Sequence, residues 1–432
     1  MPNYKRKKDE CALTPPMGWN SWDCYAASVT EAQLLEHAEY MRKNLLPFGW
    51  EYIVCDIQWS EPKAGTDENP YRNFTTLCMD EYSRLIPAEN RFPGSAGGKG
   101  FGPIAEKIHE MGLKFGIHIM RGIPRQAVHN RTKIKGASVT AAEIANPFSI
   151  SRWNPDMYGV DASKPGAQEY YDSLFELYAS WGVDYVKVDD ICNTNMFPHN
   201  PYSGRAEIEL IRHAIDKAGR PMVLSLSPGP AVIEEAWHLT ENANMWRITD
   251  DFWDTWPLLL DMFRRCELWQ AHVGPGNWPD CDMLPLGRIG IGFKKPRQTN
   301  FTREEQITMM TLWCIFRSPL MMGGVLPDLD DWTRSLLTNR EVLDVLRFGQ
   351  SPRQIERDAD HAVWINTAED GINLALFNTA DESRTLACPL SALGISRAEV
   401  RDLWAGKDLG SASEAVSAKI GPHGAALFRI HS

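Results

Sequence analysis

From residue 17 to about 325, short apolar runs alternate with longer stretches in which apolar residues return at helical spacing. The runs are "MGWNSW" (17–22), "YIVCDIQW" (52–59), "LKFGIHIM" (113–120), "VDYVKVDD" (183–190), "MVLSLSPG" (222–229), "MWRITDD" (245–251), the region around "HVGPGNWPDCDML" (272–284) and "SPLMMGG" (318–324). Between them lie segments such as "GAQEYYDSLFELYASWG", where Tyr170, Leu174, Leu177, Tyr178 and Trp181 fall on one face of a helix. Strands alternating with helices in this way predict parallel βα units, and eight in one run favour a closed (β/α)8 barrel over an open sheet.

After "VLRFGQSPRQ" the pattern changes to short alternating runs with turn signals between them: "HAVWINT", "INLALFNT", "SRTLACPL", "RAEVRDLWAG" and "AALFRIHS". They predict a small antiparallel β-sandwich over 351–432, following a catalytic barrel over 1–350. Two long connections, roughly 60–99 and 121–165, are rich in Pro, Gly, Asn and Ser. They leave from the C-terminal ends of the second and third strands, the rim where barrels keep their chemistry, and are expected to wall a pocket there.

Composition narrows the partner. The net charge of −11 argues against nucleic acid or an anionic membrane surface and leaves a neutral small ligand. The opening "MPNYKRKKDECALTPP" is basic, but no apolar signal-peptide core follows it, so it reads as a solvated arm, and no stretch is apolar for long enough to span a bilayer. Nine cysteines without a CxxC pair suggest reduced thiols and a cytoplasmic location. The 16 tryptophans stand out because several adjoin carboxylates: Trp22-Asp23, Trp253-Asp254 and Trp278-Pro279-Asp280. Flat rings beside acceptors suit a sugar, whose C–H faces stack while its hydroxyls bond.

The strand assignment brings Asp56, His118, Asp189, Asp190, Ser227, Asp250, Asp251, Asp280 and Asp282 to one rim. Two carboxylates across a neutral ligand are the equipment of glycoside hydrolysis, one attacking or activating water and one protonating the leaving oxygen. Lys187 shares a strand face with Asp189, two residues on, and is placed to hold it ionised or to donate to a hydroxyl; Arg247, four residues before Asp251, lies on the strand face of that carboxylate. A metal-dependent hydrolase would want His-x-His at the end of the first strand, which "MGWNSW" lacks.

"TPPMGWNSWDCY", "YVKVDD", "WRITDDFWDTW" and "GPGNWPDCDML" resemble, in order, four motifs of glycoside hydrolase family twenty-seven, the α-galactosidases and α-N-acetylgalactosaminidases. The resemblance implies Asp189 as nucleophile and Asp251 as general acid/base. It implies Trp22, Asp56, Lys187 and Arg247 as sugar contacts and Asp282 as a carboxylate of the pocket wall. It further implies a retaining mechanism through a covalent glycosyl-enzyme, with the two carboxyl groups about 5–5.5 Å apart, and neither metal nor organic cofactor. The expected partner is a small oligosaccharide or glycoside. Three positions depart from the family pattern. Ile57 replaces the second of two adjacent aspartates, as in the family's β-L-arabinopyranosidases, whose sugar is galactose without its hydroxymethyl group; the counter-case is an acceptor from Gln58, Tyr71 or another residue of the 60–99 connection. His118 stands where tyrosine is commoner, and a lone strand-end histidine suits a structural hydrogen bond as well as a contact to the sugar. Ser227, in "SLSPGPA", resembles the serine that makes room for an acetamido group, with Gly229 and Ala231 adding space. The leading expectation is therefore a retaining exo-glycosidase for terminal α-galactosyl-type residues, with β-L-arabinopyranosidase as its rival. A non-catalytic sugar-binding protein would not retain both Asp189 and Asp251 in their motifs.

Overall fold

A computed structural model of the chain describes residues 7–65, 71–194, 199–293 and 295–431. Inside the eight predicted runs lie eight parallel strands: β1 (Met17–Asn20), β2 (Tyr52–Cys55), β3 (Lys114–Met120), β4 (Tyr185–Asp189), β5 (Val223–Leu226), β6 (Met245–Arg247), β7 (Trp278–Asp280) and β8 (Leu320–Met322). Each pairs with the next as far as β7, and β8 pairs with β1. The seam between β7 and β8 is joined by a parallel bridge from Leu284 to Met322, with the Leu284 amide 2.8 Å from the Met321 carbonyl. The strands are shorter than the runs that announce them. Gln58, Asp190 and Asp282 have φ of 63°, 56° and 77°, so the chain leaves the ladder at or before those residues. The polar ends of the runs are loop residues at the rim.

Around the barrel run α1 (Glu31–Asn44), α2 (Gly102–Glu110), α3 (Ala167–Ser180), α4 (Arg205–Ala218), α5 (Ala236–Asn242), α6 (Trp256–Trp269), α7 (Arg303–Phe316), α8 (Asp331–Thr338) and α9 (Arg340–Phe348). The N-termini of α1 and α7 are fixed by reciprocal capping boxes, Thr30 with Gln33 and Thr302 with Glu305. The two-residue period of β4 sends Val186 and Val188 outward against the helices. Tyr185, Lys187 and Asp189 point into the barrel, where Tyr185 packs with Tyr52, Val223, Met245, Trp278 and Met321. A Cβ at Gly116 would stand 3.0 Å from Tyr185 Cβ, and one at Gly18 2.5 Å from Tyr52 Cβ. Glycine there lets the two tyrosine rings, 5.5 Å apart, fill the interior.

The expected solvated arm is corrected for its described part. Residues Lys7–Ala12 form a 3-10 turn across the N-terminal end of the barrel, while residues 1–6 lie outside the described residues. The Lys8 carbonyl accepts from Asn244 Nδ2 (3.0 Å) and the Ala12 carbonyl from Trp278 Nε1 (2.8 Å). Buried donors in the barrel floor need acceptors, and this segment supplies them.

The C-terminal strands are β9 (Gln350–Arg357), β10 (His361–Ala368), β11 (Gly371–Asn378), β12 (Arg384–Pro389), β13 (Ala398–Asp402), β14 (Lys407–Ala412), β15 (Ala415–Ile420) and β16 (Ala425–His431). Six form an antiparallel sheet in the order β9-β10-β11-β16-β13-β14, and β12 pairs with β15. Val363 and Ile365 face the core of this module, while Trp364, between them, faces the barrel and meets Phe316 of α7 edge-on at 6.1 Å. Asn366 Nδ2 donates to the Ile315 carbonyl of α7 (3.0 Å) and reaches that of Val345 in α9 (3.4 Å). His423 stacks on Trp256, the first residue of α6, at 3.7 Å and 8°, and its two nitrogens meet Glu305 (3.0 Å) and Asp381 (2.9 Å).

Candidate active site

A pocket of about 220 Å³ opens at the C-terminal rim. β4 delivers two of its residues, Lys187 and Asp189. Lys187 Nζ lies 3.0 Å from Asp56 Oδ2, which also accepts from Asn20 Nδ2 (2.8 Å), while Asp56 Oδ1 accepts from the Ile57 amide (2.8 Å). Burial works against ionisation of Asp56, but Lys187, His118 and these hydrogen bonds outweigh it and hold the carboxyl below its ordinary range.

Asp189 receives the Asp190 amide on Oδ1 (3.0 Å) and His118 Nε2 near Oδ2 (3.1 Å). Burial alone would raise its pKa; the His118 hydrogen bond, the Lys187 ammonium and the Asp190 amide reverse this and hold it well below the usual carboxylate range. Lys187 therefore helps to ionise Asp189, but its direct partner is Asp56. Asp190 turns the other way, onto Arg121 (3.0 Å). Burial pushes it up to about 7, with Arg121 opposing and Asp189 and Glu207 adding to the rise.

On the opposite strand end Asp250 and Asp251 line the pocket, and Asp251 is half exposed at its mouth. Arg247, buried behind them, reaches Asp251 Oδ1 (3.2 Å) and Asp282 Oδ2 (2.7 Å). Asp282 also accepts from the Phe252 amide (2.7 Å). Burial pushes it up to about 7, Arg247 opposing and Asp251 adding. Asp282 is thus the back-stop of Arg247, and Asp280, which takes the Asp282 amide at 2.9 Å, braces that turn.

Ile57 forms part of the wall and belongs to the buried apolar cluster that includes Trp22, Met120 and Met157. Gln58 does not reach past it: its amide is committed to the backbone of Arg72, accepting from the nitrogen at 3.0 Å and donating to the carbonyl at 2.5 Å. Of the expected substrate-binding residues, Trp22, Asp56, Ile57 and Lys187 line the pocket, while Arg247, Asp282, His118 and Ser227 stand behind its wall. His118 is buried against Asp189. Ser227 is buried with its hydroxyl 3.4 Å from the Val188 carbonyl, and Pro228 forms the wall there. Nor is Gly229 spare room: a Cβ would lie 2.3 Å from the Thr249 carbonyl oxygen and 2.4 Å from that of Arg247, so the glycine serves a close approach of two backbones.

Two pocket residues come from the long connections: Trp153 carries no individual signal in the sequence, and Tyr71 enters there only as one of the groups that could replace the acceptor missing at Ile57. Tyr71, from the 60–99 connection, stacks on Trp22 (5.1 Å, 16°), and Trp153, from 121–165, lies against Tyr71 (5.4 Å, 42°). The expected walls are there, apart from residues 66–70, which lie outside the described residues. Of the other tryptophans beside carboxylates, Trp278 is fully buried in the barrel interior. Trp253 meets Phe293, which in turn meets Trp22.

A barrel with Asp189 and Asp251 in one aromatic-sided pocket, beside a buried Lys187–Asp56 pair, defines a glycosidase. Residues 155–347 match the family described as alpha galactosidase A, and 358–430 match the alpha galactosidase C-terminal beta sandwich domain. The structure is similar to a β-L-arabinopyranosidase from Geobacillus stearothermophilus (55% identity, 99% of this chain and 98% of that one, TM-score 0.96). It is also similar to a proposed α-N-acetylgalactosaminidase from Bacillus halodurans C-125 (50%, 97% of each chain, TM-score 0.87). Among curated relatives, the α-galactosidase of Cyamopsis tetragonoloba is 25% identical over 99% of this chain and 89% of its own length. The chain belongs to glycoside hydrolase family 27.

Proposed function

We propose that the protein is a retaining, exo-acting β-L-arabinopyranosidase. The observation that carries this choice over α-galactosidase is Ile57 in the pocket wall, next to Asp56, with Gln58 committed to Arg72. A galactose hydroxymethyl would meet an apolar side chain where an acceptor is wanted; L-arabinopyranose has no such group. The 55% identity to a β-L-arabinopyranosidase supports the same reading, and the curated α-galactosidases, at 24–27% identity, support α-galactosides as the competing substrates.

In the mechanism, Asp189 attacks the anomeric carbon while Asp251 gives its proton to the departing glycosidic oxygen, leaving a glycosyl-aspartate ester. Asp251 then takes a proton from water, the resulting hydroxide displaces Asp189, and the two inversions give net retention. His118 and Lys187 keep Asp189 ionised for attack. Arg247 holds one oxygen of Asp251, leaving the other for the proton. Trp22 and Tyr71 offer ring faces to the sugar. The test is hydrolysis of nitrophenyl β-L-arabinopyranoside, α-galactoside and α-N-acetylgalactosaminide. The first should lead in kcat/KM by about one to two orders of magnitude, since roughly 1–3 kcal/mol is lost when a buried hydroxyl goes unpaired. Better hydrolysis of the α-galactoside would overturn the choice of sugar.

A further inference from the structure

Beside the sugar pocket, the same two long connections build a second recess of about 340 Å³. Phe74 stands on it 71% exposed, in a left-handed conformation (φ 56°), fixed there by its amide on Asp156 Oδ1 (2.7 Å). A large exposed aromatic held at positive φ is a costly arrangement without a use. Arg125 lies with its guanidinium 5.1 Å from the Phe74 ring and 4.7 Å from the Tyr158 ring, and His129 lies near-parallel to Tyr158 (6.3 Å, 25°) with Nε2 3.4 Å from its hydroxyl. Flat groups pinned in this ladder have little freedom left to lose on binding. Among the described residues the Arg125 side chain makes no hydrogen bond or ion pair, so its planar N–H fork is unspent. Asp156, the carboxylate lining the recess, is buried and takes the Phe74 amide; it also feels the Arg125 charge, but burial outweighs both and raises its pKa, so it neutralises Arg125 only in part.

The recess is tied to the pocket by the backbone. Tyr71 and Trp153 touch in the sugar pocket, and three residues further along each segment Phe74 and Asp156 are hydrogen-bonded. Three residues span at most about 10 Å, a reach on the order of one or two sugar residues.

We infer that this recess is an aglycone subsite for an anionic sugar, in which Arg125 takes the carboxylate of a uronic acid with its fork and Phe74 offers its open face to the ring. The inference rests on the glycosidase reading of the adjoining pocket. It is tested with two disaccharides carrying the terminal sugar that the aryl-glycoside panel selects, one linked to glucuronic acid and one to glucose, and with the methyl ester of the first as a neutral control. The wild type should favour the glucuronic acid substrate in kcat/KM by about tenfold over both neutral ones. Arg125→Gln should bring that ratio to about one, and Arg125→Lys, which keeps the charge but not the fork, should restore only part of it. Circular dichroism checks that each variant is folded. If the aryl glycosides are cleaved but the wild-type ratio is one, or Arg125→Gln leaves it unchanged, the subsite is overturned and the proposed function stands. If no aryl glycoside is cleaved by the wild type, both fall.

Discussion

His118 Nε2 sits 3.1 Å from Asp189 Oδ2, and the histidine is buried against the carboxylate rather than open to the sugar. A hydrogen bond to a charged group is worth roughly 1.5–3 kcal/mol. His118→Ala should therefore lower kcat/KM by about one to two orders of magnitude on every substrate. Because the lost bond favoured the ionised carboxylate, the acid limb of the pH profile should move upward. A uniform loss with an unmoved limb would make His118 a packing residue only.

Asp189→Asn should fold normally and show no turnover, since an amide cannot form the glycosyl ester. Asp190→Asn should remain active. Its readout is stability: the wild-type carboxyl, ordinarily at 3.8, is pushed up to about 7 in the fold, so between those values the folded chain holds the extra proton. Stability is then greatest at the acid end of that window and falls as pH rises through it. Melting temperatures between pH 4 and 7 should fall less steeply for Asp190→Asn than for wild type.

Asp251→Ala should slow glycosides with poor leaving groups far more than activated aryl glycosides, because only the former need protonation. Comparable losses on both would remove Asp251 from the acid role. The full profile should be bell-shaped, with limbs that describe the interacting carboxylates together.

Ile57→Asp places a second carboxylate beside Asp56, which is already committed to Lys187. The variant should lose stability from the buried like charge and move its kcat/KM ratio toward the α-galactoside by about tenfold or more, each tenfold being about 1.4 kcal/mol. An unmoved ratio would mean that another group holds the far end of the sugar.

The parts of the site legible in the sequence are those that a strand carries. Lys187 and Asp189 share a face because the period of a strand is two, and Asp56 and Asp251 follow apolar runs closely enough to be placed at the rim. Tyr71, Trp153 and Arg125 lie on irregular connections, where no period says which way a side chain points. His118 and Ser227 stand at the expected strand ends but behind the pocket wall: the histidine takes the structural hydrogen bond that the sequence leaves open, to Asp189, and the serine meets a backbone carbonyl, because strand period fixes a face and not a depth. The charges of the N-terminal turn suggest solvent, but its backbone carbonyls answer Asn244 and Trp278 in the barrel floor, a demand that no pattern within the turn reveals.

Asn366 and Trp364 reach from the C-terminal sheet into the helices of the barrel, and His423 grips the first residue of α6. A chain cut near residue 350 would strip Phe316 of its aromatic neighbour and leave the Ile315 carbonyl without the Asn366 amide. The division drawn through the sequence is consequently not a line of separate unfolding: both halves should melt in a single cooperative transition, and the barrel expressed without its sheet should not persist as a folded species. α6 begins five residues after Asp251, so the sheet that carries no catalytic group sets the footing of the loop that does.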